Sequence, residues 1–414
     1  MLKLTSCRAA LVLTGAAFAL AVGVLPAQAA STASTASTAS TAWHTYRYIT
    51  VKGKQVTLLT GIDALGGGNA WAAGDAATSK GTRPVGLLRH WNGKAWKGVT
   101  LPSSIQKDWN KYSATNYATI GASASTNVWA FADLPVTENG DGYIRLNGRK
   151  WSAGILPGSR ISSGHIVFVT GTRVFSRSDV WVFGGQAGTT STTLTPYAAH
   201  FNGTKWKTYE VPGSGAITAA SEISATNFWA VLGVPWFLVG EATAASPAVV
   251  QWNGSKWVAA AIQPSGLPAG ANLTSILASR GSKVWIGGGA TNSAGGTNEF
   301  TAKLTGSSWT AESLGAPVAK ADFFLTDLVP DGSGGIWGLA ESTTGAKPRF
   351  WHLTSAAGTT WTSAHASFSG GNRQVLFQLA EVPHSTSVWG VGAIRQSSSG
   401  ATRGLLALYG KTPR

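Results

Sequence analysis

Cysteine is almost missing from this 414-residue sequence, which has one, Cys7, and methionine occurs once, at the start. A disulfide framework and any centre built on several thiolates are excluded by that count. Charge is sparse at 12% of residues, and acids are the scarcer sign, with 17 Asp and Glu against 32 Lys and Arg. HExxH, EF-hand, P-loop and Gly-x-Ser-x-Gly elements do not occur, and helical periodicity is not evident. Long apolar runs are missing too, apart from residues 9–25 near the N-terminus.

That run follows Lys3 and Arg8 and ends in Pro26-Ala27-Gln28-Ala29-Ala30, the small-x-small pattern of a signal-peptidase site. Residues 1–30 are therefore expected to be a signal peptide, and the mature protein to be secreted, extracellular and without a membrane span. Cys7 precedes the apolar run instead of following it, which argues against a lipid anchor. Losing Lys3 and Arg8 with the leader takes the net charge from +15 to +13. Such a balance suits anionic surroundings, acidic cell-wall polymers among them. The basic residues read as scattered, without the clustered footprint of a dedicated nucleic-acid site. Residues 31–42 spell STA four times and are expected to form a disordered spacer. Residues 43–414 remain as a single domain, and its stability must come from a core to which the 19 Trp contribute much of the apolar area.

An apolar-Trp pair recurs seven times, at Trp71, Trp129, Trp181, Trp229, Trp285, Trp337 and Trp389, with spacings between 48 and 58. A second Trp follows six of these, at Trp96, Trp151, Trp206, Trp257, Trp309 and Trp361, usually after an Asn-Gly or Thr-Gly turn. The seventh copy stops at Tyr409-Gly410-Lys411, and the strand it lacks is found at the other end of the chain, around Trp43. Each unit of about 53 residues has room for four short strands, the second nearly all apolar and the fourth alternating. The expected fold is all-β: a seven-bladed β-propeller of four-stranded antiparallel blades, its last blade closed by the N-terminal strand. Small residues three places after the first Trp, Gly74, Gly184, Gly288 and Gly392 among them, are expected to let neighbouring blades pack closely.

Asp179-Val180-Trp181-Val182-Phe183-Gly184-Gly185 followed by Asn202-Gly203-Thr204-Lys205-Trp206 resembles a Kelch repeat. Over residues 43–411 the chain looks like the secreted actinobacterial propeller repeat proteins that pair a V-W element with W-N-G-x-x-W. Galactose oxidase has a similar architecture, but its copper site needs a cysteine cross-linked to tyrosine, and the mature chain has none. The resemblance therefore implies a shape and no single activity.

Three sets of residues could carry chemistry. His90, His200 and His352 hold the same place in different repeats, so they cannot converge on one ion, and neither a metal nor another cofactor is expected. Asp63, Asp327 and Glu381 fall at comparable places in the first strand of consecutive repeats and could meet at the channel as an acid/base pair for polysaccharide cleavage. Long connections supply the third set. Trp109, Tyr112, Trp236 and Phe237 would stack on a sugar, and Lys107, Lys111 and Arg160 would meet negative charge. The leading reading is a monomeric, non-enzymatic binding protein for a glycan or an anionic cell-surface polymer. An extracellular polysaccharide hydrolase or lyase is the second, and an envelope protein-interaction scaffold the third.

Overall fold

The computed structural model describes residues 40–78, 84–112, 118–132, 141–159, 165–188, 191–279, 283–316, 322–369, 371–396 and 399–414. The expected signal peptide and most of the expected spacer lie outside these residues. Ser40–Ile49 is a strand, so the N-terminal strand reaches into the stretch expected to be spacer.

The chain folds into antiparallel meanders, as short apolar runs punctuated by tight turns dictate. Five are separate four-stranded sheets in chain order, beginning with Ala118–Ala124, His165–Ser176, Ala216–Ser224, Asn272–Ser279 and Phe323–Pro330. The sixth sheet has nine strands. One part of it is the meander from Val56–Gly66 to Trp96–Gly98, and another is Arg373–Glu381, Val388–Arg395 and Thr402–Gly410 with the N-terminal strand alongside. A single parallel pair, Val56 with Thr402, joins the two parts. Among the described residues, hydrogen bonding thus defines six sheets, not seven.

The N-terminal strand lies where the repeat pattern puts it. Ser40–Ile49 runs antiparallel to Thr402–Gly410, with His44 opposite Leu408 and Ile49 opposite Gly404. Trp43 is fully buried, stacked on Phe350 at 4.6 Å and edge-on to Trp337 at 5.5 Å. That edge-on contact repeats through the molecule, the Trp of an outer strand meeting the Trp of the second strand one repeat earlier. Trp206 meets Trp129, Trp257 meets Trp181, Trp361 meets Trp285 and Trp96 meets Trp389, with interplanar angles of 81 to 88°. Trp43 on Trp337 belongs to the same series at 84°. Offset or edge-to-face rings are the favoured arrangement of aromatic pairs, and each buries a large area.

Second strands are buried on both faces, as in Asn127–Ala132, whereas the outer strand Lys150–Ile155 has no fully buried residue. The close approach of the small residues differs from expectation. A Cβ on Gly74, Gly184, Gly288 or Gly392 would come within about 2 Å of a carbonyl oxygen of the first strand in the same repeat, Leu58, Phe168, Asn272 and Val375 respectively. The glycines therefore fit strand to strand inside a sheet, not blade to blade.

Candidate functional site

The first strands of all seven repeats line one cavity of about 490 Å³. Six of them carry a bulge at one place, where the register skips Thr60, Thr170, Thr218, Thr274, Thr326 and Phe377. An extra residue bends the strand and re-aims the side chains after it. The threonines also fasten the wall, since the hydroxyls of Thr60, Thr170, Thr218 and Thr274 donate to the carbonyls of Ala118, Ile217, Leu273 and Leu325 on the next lining strand, at 2.6 to 2.9 Å.

Asp63, Asp327 and Glu381 all border this cavity, but not at one level. Asp63 pairs across its sheet with Trp71, Asp327 with Leu339 and Glu381 with Val388, whereas the equivalent Trp337 and Trp389 face Val329 and Ala380. The expected common register is therefore corrected: counted from the repeating Trp, Asp327 sits two residues before the place of Asp63 and Glu381 one after it. Asp63 Oδ2 accepts the Ala122 amide at 2.7 Å, and Asp327 Oδ2 accepts that of Leu379 at 2.8 Å. Gln378 Oε1 and Ser221 Oγ take the amides of Ile62 and Ala278 in the same way. Both aspartates thus tie adjacent strands together. Burial pushes each up to about 6, against the pull of those amides and of the Arg173 charge. Burial also raises Glu381, and there the nearby charges are Asp331, which raises it further, and His384.

Arg173 is the cation at the centre of the site. Its Nε donates to Glu222, and its two terminal nitrogens donate to the carbonyls of Thr172 and Ala220. Burial opposes its charge, yet Glu222, Asp63 and Asp327 more than offset this and its pKa is raised. The Arg173 and Glu222 side chains keep 33% and 42% of their surface exposed, so the pair is within reach of a ligand. Sequence reasoning passed over both residues; the available signal was two opposite charges placed on consecutive lining strands.

The long-connection residues divide. Ser103–Tyr112 is an α-helix, and Trp109 and Tyr112 on its inner side are buried in the core with Ile120 and Ile144. The Tyr112 ring lies against Gly142, where a Cβ would come within 2.4 Å. These two aromatics offer no face to a ligand, which corrects the exposed platform expected of them. The helix also corrects the expectation of no helical pattern, for Ile105, Trp109 and Tyr112 recur at i, i+4 and i+7. Lys107 and Lys111 are exposed on the same helix. Arg160 lies outside the described residues. Trp236 and Phe237 form a short 3-10 turn and border the central cavity, Phe237 buried and Trp236 partly exposed.

The repeating histidines have structural surroundings. His90, His200 and His352 stack on Trp71, Trp181 and Trp337 at 4.1 to 4.4 Å and bond to Asn69, Asp179 and Asp331. Among the described residues no three His, Cys, Asp or Glu side chains gather as metal ligands do, and no helix is long and apolar enough to cross a membrane.

The meanders, their edge-on tryptophans and the shared central wall define an all-β protein of propeller-like fold. Among solved structures it is similar to YCF48 bound to a D1 peptide, with a TM-score of 0.51 and 12% identity, over 89% of this chain and 99% of that one. It is also similar to a puromycin-hydrolyzing peptidase of Mycobacterium tuberculosis, with a TM-score of 0.51 and 11% identity, over 84% of this chain and 52% of that one. The chain spans about half the length of that peptidase. At these identities the likeness is one of fold. No protein-family model and no curated protein matches the sequence.

Proposed function

We propose that this is an exported, monomeric binding protein of the secreted Kelch-like kind. In this reading it is a seven-bladed propeller closed by its N-terminal strand, which holds a glycan or a similar polyhydroxylated ligand in its central cavity without turning it over. One observation carries the reading: a cavity of about 490 Å³ that combines the partly exposed Arg173–Glu222 pair with Gln378, several threonines and Trp236. Sugars are recognised by such a mixture, an apolar surface for C–H faces and fixed polar groups for hydroxyls. The test is a glycan panel probed with the mature protein, then Trp236→Ala and Arg173→Met. Each is expected to weaken binding tenfold or more, with Trp109→Phe unchanged in affinity. Absence of any glycan ligand overturns the reading.

The second reading is a polysaccharide hydrolase or lyase using Asp63, Asp327 and Glu381. It is favoured by two carboxyl groups with pKa values of about 6 in one cavity, near the value a general acid needs at neutral pH. Against it, both aspartates are occupied by backbone amides. Release of shortened products from a polysaccharide panel, abolished in Asp327→Asn, would decide for the enzyme.

A further inference from the structure

The hairpins between third and fourth strands repeat one turn. Asn92 Oδ1 accepts the amides of Lys94 and Ala95, Asn202 those of Thr204 and Lys205, and Asn253 those of Ser255 and Lys256, all at 3.0 to 3.1 Å. The glycine that follows each asparagine, like Gly148 in the intervening repeat, has positive φ, which favours glycine at that place. Like turns project the residues after them in like directions from each sheet.

Those residues are basic in four successive repeats: Lys94 and Lys97, Arg149 and Lys150, Lys205 and Lys207, then Lys256, every one exposed. Residues 92–98, 147–153, 202–208 and 253–259 contain no Asp or Glu to neutralise them. In the next two repeats Ser307-Ser308 and Thr359-Thr360 stand there instead. Consecutive repeats are neighbours in space through their lining strands. Folding therefore gathers charges that look scattered in sequence into a one-sided arc, separate from the cavity.

We propose that this arc is a docking surface for a flexible linear polyanion, one that carries a phosphate or carboxylate on each repeating unit, as acidic cell-surface polymers do. Charges set one sheet apart, on long stems and without a pocket, fit negative charges spaced along a chain better than a single small anion. Association releases counterions, so it weakens steeply with salt. Of the outer-strand rings in the arc, Trp96 and Trp257 are buried and Trp151 and Trp206 are partly buried against the core, so the arc has no row of free ring faces on which nucleobases could stack. Val239, the exposed large hydrophobic side chain among the described residues, lies in a different connection, so the arc has no apolar wedge for a bilayer.

The test measures binding of the mature protein to poly(glycerol phosphate), to polygalacturonate, to anionic phospholipid vesicles and to duplex DNA at 50 and 300 mM salt. Lys94→Ser, Lys97→Ser, Arg149→Ser and Lys150→Ser are combined in one variant. A control of equal charge change combines Lys52→Ser, Lys54→Ser, Lys283→Ser and Lys347→Ser. The arc variant is expected to lose tenfold or more in polymer affinity at low salt and to show a shallower salt dependence, with the control within twofold. The two polymers distinguish phosphate from carboxylate as the preferred charge. Equal losses in both variants, no polymer binding at all, or preference for vesicles or DNA overturns the proposal. Trp236→Ala should leave polymer binding intact, so failure of the cavity reading and failure of this one are separate results.

Discussion

Asp63 has a backbone amide on one side and a cation across the channel, yet its carboxyl still titrates near 6 because burial outweighs both. Its ordinary value is 3.8, so the folded chain holds the proton more tightly than the unfolded one. The resulting stability is fully present below pH 3.8 and is lost as pH rises through about 6. Asp63→Asn keeps an acceptor for the Ala122 amide and removes the charge. The variant should be more stable than the parent at pH 7.5, by about 1 kcal/mol once water in the channel is allowed for, and the gain should vanish near pH 4. Denaturant melts of both proteins across that range check it. An unchanged difference at the two ends would mean that Asp63 holds its proton equally tightly in the folded and unfolded chain. Arg173 shows why single residues were hard to read: its role depends on Glu222, 49 residues and about one repeat away in sequence, and no local pattern links them.

At the scale of elements, the tryptophan repeat gave away the strands because each buried ring recurs at nearly fixed spacing and leaves a polar turn beside it. The helix Ser103–Tyr112 was missed for the opposite reason, since its three inward residues form one short pattern without a second copy for comparison. Its packing makes a sharp prediction. Trp109→Ala should cost about 3 to 5 kcal/mol of stability in equilibrium denaturation, through the cavity left among Ile120, Ile144 and Leu101. Ligand affinity at intact fold should be unchanged, and a selective loss of affinity would return Trp109 to the binding site. The bulged threonines were visible as letters but not as bulges, because a one-residue slip is defined by the partner strand. The basic hairpins, likewise, become a surface only when the fold brings four successive repeats together.

For the whole molecule, the decisive contact is between its two ends. The missing seventh outer strand was legible because the repeat stops short at Tyr409 and resumes at Trp43, while the joining of two meanders through Val56 and Thr402 was not, since one backbone pair leaves no pattern in side chains. A chain lacking residues 1–49 should lose cooperative unfolding, because Leu405 and Leu408 would be left beside an unpaired edge and Trp337 would lose its edge-on partner. Calorimetry of the truncated protein checks this, and a sharp transition close to the parent's would show that closure contributes little.

The pairing of Ser40–Ile49 with Thr402–Gly410 also sets a timetable. The earlier of the two strands must wait, unmatched, until the later one has been synthesised, so the two meanders they border cannot be latched before then. The act that completes the structure is thus held back until both strands exist, whatever the order in which the sheets between them form.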